Sequence, residues 1–575
     1  MASAKERARE FVEQEKAFRL GELLTESFHP KTRELSQTIA RDLHAGIRLL
    51  QSVDEDIPAA LDRIFAQDSF RNLVEALHEA ICTGHRIFFT GCGATGRLSI
   101  LLEAAWREFW RTTGRDNPRA GRMMNLCISV MAGGDFALIK SVEGFEDFPA
   151  FGRHQLKEAG VQPGDVVVAI TEGGETPFVI GTAWQGLDTG ASVFFVYNNP
   201  TDLLRRHVQR SREVIDEPRI QKLDLATGPM AITGSTRMQA TTAELLVVGA
   251  ALETALTQAV GCAPHTDSTK VCQQHFAGLL KQLSSIEAVD AMARAVQFEE
   301  SLYRQHGLVT YVTDSVLLDA LTDTTERAPT FMLPPFRKAG DTLSPVSWVF
   351  VKHPTRPTQD AWREMLQREP RGLTWDLDVY RRMNAPAAIQ ANPPKLDNSQ
   401  IYRFQIGNEP DPSRTNAPDS ALVFIDVGRN GGHSPPYAKG EFKRTAAITV
   451  GPQAPSPPVD EHFHFSCDLP ASGLRLWEHL AIKLILNTIS TATMVRMGRV
   501  VGNAMVWVSP SNKKLIDRGT RLISLSTGYS YERACEALHE AMDEIARRAQ
   551  AGEEVPSPVA LAIERIKAAD QEDNT

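Results

Sequence analysis

The sequence predicts an α/β protein with two lobes, each built on a doubly wound parallel sheet, and with helical N- and C-terminal regions. Three observations predict this. A chain of 575 residues is too long for one hydrophobic core, because single cores stop growing near about 250 to 300 residues. Second, short apolar runs end in glycine-rich or polar turns from which helical patterns begin. Third, this order of run, turn and helix occurs twice along the chain.

The first lobe is predicted from three such apolar runs. Ile87-Phe88-Phe89 leads into a glycine turn at 91–93 and a helical pattern over 98–110. Further strands are predicted at 166–170 and 192–197, each followed by a turn. Apolar runs of this kind fit strands that are buried on both faces, which indicates a parallel sheet.

The second lobe follows a helical segment at 240–300. Strands are predicted at 308–312, 346–351 and 421–426, and a helix after the first of them. The proline-bearing stretches at 384–420 and 451–460 are interpreted as loops. We therefore predict a helical arm at 1–70, a first lobe at 71–285, a divergent second lobe at 286–510 and a helical cap at 511–575.

Composition and charge narrow the class of protein. A net charge of −9 and a pI near 6.0 argue against a nucleic-acid-binding surface. The seven scattered cysteines, the charged N-terminus and the lack of a long apolar stretch predict a cytoplasmic protein without disulfides or membrane contact. His462 and His464 share one face of a predicted strand, but no third ligand has metal-like spacing, so no metal is expected.

The glycine turn carries the first functional signal. Glycines at 91, 93 and 96 between a strand and a helix let a ligand approach the backbone, where N–H groups and the helix dipole attract phosphate. A nucleotide-dependent dehydrogenase has a similar turn, but also an acidic residue about 20 residues further on, at the end of a second strand. No clear strand precedes the segment 110–117, which disfavours that alternative.

Several strings, in this order, resemble two groups of proteins built from sugar isomerase (SIS) domains: N-acetylmuramic acid 6-phosphate etherases and glucokinase regulatory protein. They are Gly91-Cys92-Gly93-Ala94-Thr95-Gly96-Arg97-Leu98, Val142-Glu143-Gly144-Phe145-Glu146-Asp147, Ala231 to Met238, Leu486 to Met494 and Ser511-Asn512-Lys513-Lys514-Leu515. The resemblance is strong over 25–260 and 475–545. In etherases the third and fourth strings are continuous, so their separation here suggests a duplicated SIS lobe.

The resemblance implies a sugar-phosphate site and no cofactor. The ligand-binding residues it implies are Gly93, Thr95, Gly96, Arg97, Thr171, Gly173, Glu175, Thr176, Ser235, Thr236 and Lys514. The two carboxylates of the 171–176 turn depart from the Ser/Thr-rich family pattern and would repel phosphate unless Arg237 or Lys514 intervenes. Each hydroxyl has helix capping as an equal alternative role, and Lys514 has that of a solvent-exposed lysine.

The resemblance implies catalytic residues less directly than it implies ligand-binding residues. Etherases use two glutamates, one to remove the proton beside the carbonyl of the ring-opened sugar and one to protonate the departing lactate oxygen. Glu143 matches one of them, whereas Ala105 occupies the position of the other. The second-lobe segment around Glu326 resembles the missing stretch, so we expect Glu326 to face Glu143 across the lobes. The alternative is an ion pair of Glu326 with an arginine such as Arg327 on a solvated helix.

Two functions therefore stay open beside the weaker dehydrogenase. One is an enzyme, a lyase or isomerase acting on an amino-sugar or hexose 6-phosphate. The other is a non-catalytic sensor of a hexose phosphate that controls a partner sugar kinase. We expect a monomeric pseudo-dimer or a homo-oligomer, and a degenerate site in the second lobe because Val312-Thr313-Asp314-Ser315 lacks glycines.

Overall fold

Two five-stranded parallel sheets form the centres of two lobes. A computed structural model describes residues 3–142, 144–261, 268–428, 442–453, 457–550 and 555–572. The first sheet contains β1 (Ile87–Gly91), β2 (Cys127–Met131), β3 (Val166–Ile170), β4 (Ser192–Tyr197) and β5 (Ile220–Asp224). The second contains β6 (Leu308–Val312), β7 (Val349–Lys352), β8 (Ser420–Val427), β9 (Arg444–Val450) and β10 (Glu461–Phe465).

The two sheets have the same topology. Their spatial orders are β2-β1-β3-β4-β5 and β7-β6-β8-β9-β10, and every described strand pair is parallel. The register places Ile87 of β1 opposite Cys127 of β2 and Val166 of β3. In each lobe the strand order reverses beside the first strand, which is where open α/β sheets bind ligands. The predicted fold class, two doubly wound parallel lobes, is confirmed.

Helices surround both sheets and form the two ends of the chain. The arm has α1 (Ala4–Gln14), α2 (Leu35–Arg41), α3 (Leu43–Asp54), α4 (Asp56–Phe65) and α5 (Asp68–Thr83), with 3-10 turns at Lys16–Phe18 and Leu24–Glu26. The first lobe has α6 (Gly93–Arg111), α7 (Ala120–Met123), α8 (Pro149–Glu158), α9 (Pro177–Thr189), α10 (Thr201–His207), α11 (Gln209–Asp216) and α12 (Gln239–Ala259), with a 3-10 turn at Asp135–Leu138.

The remaining described helices lie between the lobes, in the second lobe and in the cap. They are α13 (Ser268–Leu283), α14 (Ile286–Arg304), α15 (Leu317–Phe331), α16 (Thr358–Leu366), α17 (Leu377–Arg382), α18 (Ala387–Ala391), α19 (Asn398–Ile401), α20 (Pro412–Thr415) and α21 (Leu476–Arg496), then α22 (Lys513–Thr527), α23 (Tyr531–Gln550) and α24 (Pro558–Glu572) in the cap. The stretch 384–420, predicted to be a loop, therefore contains α18, α19 and α20. The domain boundaries stay predictions.

The lobes meet through helices α6 and α12 of the first and α15 and α21 of the second. A buried ionic cluster around Asp323 joins them: its carboxylate accepts from Arg237 at 3.1 Å, Arg327 at 2.8 Å and Ser490 at 2.8 Å. Burial acts against ionisation of Asp323, but the two guanidinium groups outweigh it and lower its pKa. This cluster fixes the first-lobe Arg237 against second-lobe side chains.

A second buried cluster lies further along the interface. Glu103 of α6 accepts from Arg371 at 2.7 Å and pairs with Arg368 at 3.1 Å, both from the second lobe. Burial opposes its ionisation, yet these arginines hold its pKa well below the usual range for a carboxyl. Glu103 thus has a structural role between the lobes.

One described helix, α12, is long and apolar enough to cross a membrane by length and composition. Of its most apolar 18-residue window, 78% is buried inside the protein. It packs against α5 of the arm and α21 of the second lobe. Its apolar surface is therefore covered by other helices of the chain.

Candidate functional site

A cavity of about 240 Å³ opens where β1 and β3 end. Its wall comes from the first-lobe turns after those strands, the segment before α12, α15 of the second lobe and the start of α22 in the cap. A cavity at the carboxyl ends of strands, beside the point where strand order reverses, is the expected ligand position in such sheets. Three separate parts of the chain must come together to form it.

The glycine turn forms one side of the cavity. Gly93 begins α6 with a φ of +53°, in the left-handed region that favours glycine. The Thr95 hydroxyl accepts from the Cys92 backbone N–H at 3.0 Å and donates to the Cys92 carbonyl at 2.8 Å, so it caps the helix. Arg97 extends from α6 and donates to the carbonyl of Leu138 at 3.0 Å and to the Thr325 hydroxyl at 3.3 Å.

The loop between β3 and α9 carries the two unexpected carboxylates. Glu172 lines the cavity, whereas Glu175 is buried behind it and accepts from Nζ of Lys514 at 2.5 Å. The hydroxyls of Thr171 and Thr176 bond to each other at 2.9 Å. Burial opposes the charge on Lys514, but Glu175 and Glu26 outweigh that effect and raise its pKa. The cap lysine therefore neutralises one of the two carboxylates.

The segment before α12 supplies hydroxyls and a guanidinium. Ser235, Thr236 and Arg237 all line the cavity, and Gly234 makes the close turn with a φ of +75°. A Cβ on Gly234 would lie 2.4 Å from Nε of Arg518, so a side chain does not fit there. Arg237 is only 4% exposed, and its Nε–H has no hydrogen-bond partner among the residues that the structure describes.

Glu326 enters the cavity from the second lobe on α15. It is 5% exposed, and its Oε1 has no hydrogen-bond partner within the described part of the chain. Burial raises its pKa, only partly offset by Arg97 and Arg237. The alternative of an ion pair with Arg327 on a solvated helix is wrong, because Arg327 is buried and pairs with Asp323 and Glu299.

The cap contributes polar groups through α22. Asn512, Lys514 and Arg518 line the cavity, and Asn512 donates to Oε1 of Glu146 at 2.5 Å. Arg518 is held by Glu26 of the arm at 2.6 Å. The arm and the cap are thus joined by ionic contacts beside the cavity.

Two cavity carboxyls have strongly displaced pKa values. Burial raises the pKa of Glu146 to about 7, against an opposing effect of Lys514. Burial likewise raises the pKa of Glu172 to about 7. Carboxyl groups in such an environment can hold a proton near neutral pH, as a general acid or a hydrogen-bond donor must.

The predicted residues divide into two sets. Those that line the cavity are Gly93, Arg97, Thr176, Ser235, Thr236, Glu326 and Lys514. Those that lie behind its wall are Thr95, Gly96, Thr171, Gly173 and Glu175. Glu143 lies outside the described residues, although its neighbours Val142 and Gly144 both line the cavity. The ligand roles of all these residues stay predictions.

Sequence reasoning missed Glu146, Asn512 and Arg518 as cavity residues, and gave Arg237 only an auxiliary role. It expected the carboxylate of Glu172 near the phosphate but did not include Glu172 among the binding residues. Glu146 and Asn512 stand inside the strings that resemble the family, which is the signal that could have found them. Arg518 follows Lys514 by four residues and so lies on the same face of α22.

His462 and His464 lie away from this cavity. Nε2 of His462 and Nδ1 of His464 are 2.8 and 2.9 Å from the same Thr449 hydroxyl. Among the residues described, no group of three or more His, Cys, Asp or Glu side chains could hold a metal ion.

Comparison with known proteins gives a match to one family model and to several curated relatives. Residues 70–186 match the family model described as the glucokinase regulatory protein N-terminal SIS domain. An N-acetylmuramic acid 6-phosphate etherase of Yersinia pestis (strain Pestoides F) is 30% identical over 229 residues, covering 40% of this chain and 69% of the relative. That of Actinobacillus pleuropneumoniae (serotype 5b, strain L20) is 27% identical, covering 40% of this chain and 67% of the relative.

The fold and these matches define a protein with SIS-type lobes and a cavity at its strand ends. The chain belongs to the family of the N-acetylmuramic acid 6-phosphate etherases. These relatives align with about two fifths of the chain.

Proposed function

We propose that the cavity binds a sugar phosphate and that the protein is an etherase acting on an amino-sugar 6-phosphate. The observation that carries this proposal is Glu326: a buried carboxyl with a raised pKa and an unpartnered oxygen, on the wall of a cavity that also has basic side chains. A raised pKa favours the protonated form of a carboxyl, which is the form that acts as a general acid. Membership of the etherase family supports the same chemistry.

The proposed reaction is an elimination with divided roles. A base on the first lobe, for which we propose Glu143, removes the proton beside the carbonyl of the ring-opened sugar. The carbon–oxygen bond to lactate then breaks, its electrons leave with the oxygen, and Glu326 supplies the proton to that oxygen. An acid and a base from different lobes would explain why α6 can carry Ala105.

The basic groups and hydroxyls of the cavity would hold the ligand. We propose that Lys514 and Arg518 of the cap neutralise phosphate, with Thr176, Ser235 and Thr236 as hydroxyl partners. The six described cysteines form no disulfide, which supports our expectation of a reducing, cytoplasmic location. We also propose that one chain, through its two lobes, takes the place of a dimer.

The test is to incubate the protein with N-acetylmuramic acid 6-phosphate and to quantify lactate. We expect steady release by the parent and strongly reduced release by Glu326→Gln, which keeps the shape of the side chain but cannot give up a proton. Binding without any lactate release would contradict the etherase proposal.

A second candidate is a non-catalytic sensor that controls a sugar kinase. The match of residues 70–186 to the glucokinase regulatory protein SIS domain, together with the two-lobed layout, favours it. A sugar kinase that co-purifies and is inhibited only when ligand is present would support this function. A non-catalytic function also requires that the ligand stays chemically unchanged after long incubation with the protein.

A further inference from the structure

The charged side chains of the cavity wall are of two kinds, cations that the protein itself neutralises and carboxyls that it does not. Three cations each form an ion pair: Lys514 with Glu175, Arg518 with Glu26, and Arg237 with Asp323. Arg97 donates to the carbonyls of Ala137 and Leu138. Of these four basic groups, Arg97 alone has no carboxylate partner in the described part of the chain.

Three carboxyls of the same wall, those of Glu146, Glu172 and Glu326, form no ion pair with a residue that the structure describes. Glu146 accepts from the Asn512 amide at 2.5 Å. Glu326 is 5% exposed, and its Oε1 has no hydrogen-bond partner among the described residues. A buried carboxylate needs a cation or several hydrogen bonds, because a charge loses much free energy when it leaves water. Arg97 is close enough to act on Glu172 and Glu326, but three carboxyls set against one arginine leave the wall short of positive charge.

The shortage of positive charge is concentrated around Glu172, in the loop between β3 and α9. Burial raises the pKa of Glu172, and the charges of Glu326 and Glu175 raise it further, whereas Lys514 opposes them. Nζ of Lys514 is already bonded to Glu175 at 2.5 Å. Burial also raises the pKa of Glu244 on α12, and the charge of Glu172 adds to that effect. Glu172 is thus surrounded by other carboxyls at a place where it lines the cavity.

We infer that Glu172 binds a free ammonium group of the ligand, so that the preferred ligands are amino-sugar phosphates whose nitrogen carries no acyl group. This inference rests on the proposed function and adds to it the chemical state of the amino group. An ammonium group supplies positive charge where the wall has unpaired carboxyls, and its three N–H donors form charge-assisted hydrogen bonds with them. An acetamido group is neutral, so it leaves these carboxyls without a cation.

A sugar hydroxyl is the other group that can donate to Glu172, and the two differ in charge and in proton balance. The pKa of Glu172 is raised to about 7, so at lower pH its carboxyl is mostly protonated. An ammonium beside it favours the ionised form, so the O–H bond of the carboxyl breaks and the proton passes to the buffer. A hydroxyl brings no charge and therefore causes no such release.

The test measures the Kd of three ligands by titration calorimetry: glucosamine 6-phosphate, glucose 6-phosphate and N-acetylglucosamine 6-phosphate. They differ at the second carbon, which carries an ammonium, a hydroxyl or an acetamido group, and none has a lactyl ether. We expect glucosamine 6-phosphate to bind about 10- to 100-fold more tightly than either of the others, the range for one hydrogen bond to a charged group.

The same titrations, run at about pH 6.5 in two buffers with different heats of ionisation, count the protons released on binding. Glucose 6-phosphate gives the baseline, because its phosphate group is the same. Glucosamine 6-phosphate should release more protons than this baseline, since its ammonium group ionises the Glu172 carboxyl.

Glu172→Gln keeps the shape of the side chain and removes its charge. It should bring the affinities for glucosamine 6-phosphate and glucose 6-phosphate close together and abolish the additional proton release. Glu158→Gln is the control, because Glu158 is an exposed carboxyl of the same lobe that bonds to Trp375 and does not line the cavity. It should leave both readouts unchanged. If Glu172→Gln does not fold, the proton count in the parent protein decides without a substitution.

The outcomes separate the inference from the proposed function. Equal affinity for glucosamine 6-phosphate and either other ligand, or equal proton release with glucose 6-phosphate, overturns the inference while sugar-phosphate binding stands. A preference that Glu172→Gln leaves unchanged overturns it as well. Failure of all three ligands to bind overturns the proposed function and the inference with it.

Discussion

The two lobes share one topology but differ where their last long helices begin. Arg237 lies just before α12 in the first lobe, lines the cavity and keeps its Nε–H without a described partner. Arg475 lies directly before α21 in the second lobe, and its guanidinium is engaged by Glu478, by Glu108 at 3.3 Å and by the Ser315 carbonyl at 3.1 Å. An arginine near the start of this helix lines the cavity in one lobe and packs at the interface in the other.

The helices that follow the first strand of each lobe, α6 and α15, also differ, but here the second lobe carries the polar side chain of the cavity. Ala105 of α6 and Glu326 of α15 both stand fourteen residues after the last residue of the first strand of their lobe, Gly91 and Val312. The first lobe has the glycine turn without the carboxyl, and the second has the carboxyl without the glycine turn. Each lobe lacks what the other supplies, so a single shared cavity can replace two separate ones.

The largest effect on activity is expected from a substitution of Glu326, the carboxyl by which the second lobe differs from the first. Glu326→Gln should reduce lactate release by about 10²- to 10⁴-fold, the contribution usual for a positioned general acid. Glu108→Gln is the control, because Glu108 contacts Arg475 outside the cavity. Equal rates in Glu326→Gln and the parent would show that the second lobe supplies no acid.

The next effect concerns the ionic cluster between the lobes. Asp323→Ala leaves Arg237 and Arg327 buried without their shared carboxylate and should lower the free energy of unfolding by about 3 to 5 kcal/mol. Chemical denaturation measures this. Asp290→Ala, which removes an exposed partner of Arg294, should cost at most about 1 kcal/mol. Similar losses in both variants would contradict the role of Asp323.

A smaller effect tests the contribution of the cap to the first-lobe site. Lys514→Met should raise the Kd of N-acetylglucosamine 6-phosphate about tenfold, because one charge-assisted contact is lost. Lys513→Met is a closely matched control, since Lys513 is paired with Glu15 and does not line the cavity. If both variants bind alike, Lys514 serves only to neutralise Glu175.

The last prediction concerns the pH dependence of stability. Glu146 and Glu172 have pKa values raised to about 7 in the folded protein, so between about 4.5 and 7 the folded state binds more protons than the unfolded state. Their contribution to stability is present below about 4.5 and is lost as the pH rises through 7. Urea midpoints at pH 5.5 and 7.5 should therefore differ less for Glu146→Gln/Glu172→Gln than for the parent, whereas an equal difference would contradict these shifts.

The sequence was sufficient to predict those strands whose residue pattern is local. The runs at 166–170, 192–197 and 308–312 coincide with β3, β4 and β6, because strands buried on both faces are nearly all apolar. β5 was not predicted, since this edge strand carries Gln221, Lys222 and Asp224. The strand predicted at 346–351 begins at Val349 instead.

The cavity depends on contacts that no local pattern shows. The glycine turn and the strings around 142–147 and 231–238 indicated its first-lobe side. The pairing of Lys514 with Glu175, the burial of Glu326 and the unpartnered N–H of Arg237 depend on how three distant segments pack. Spacing in the sequence says nothing of such relations, because they join residues hundreds of positions apart.

The contact of Arg518 and Arg521 with Glu26 has a consequence for the order in which the site is made. During translation the arm and both lobes leave the ribosome before α22 does. Until α22 arrives, the Glu26 carboxylate, buried in the finished protein, has neither of these arginines beside it. The cavity is therefore completed only after both lobes have been synthesised, and a nascent chain that has already folded both lobes still lacks its cap groups.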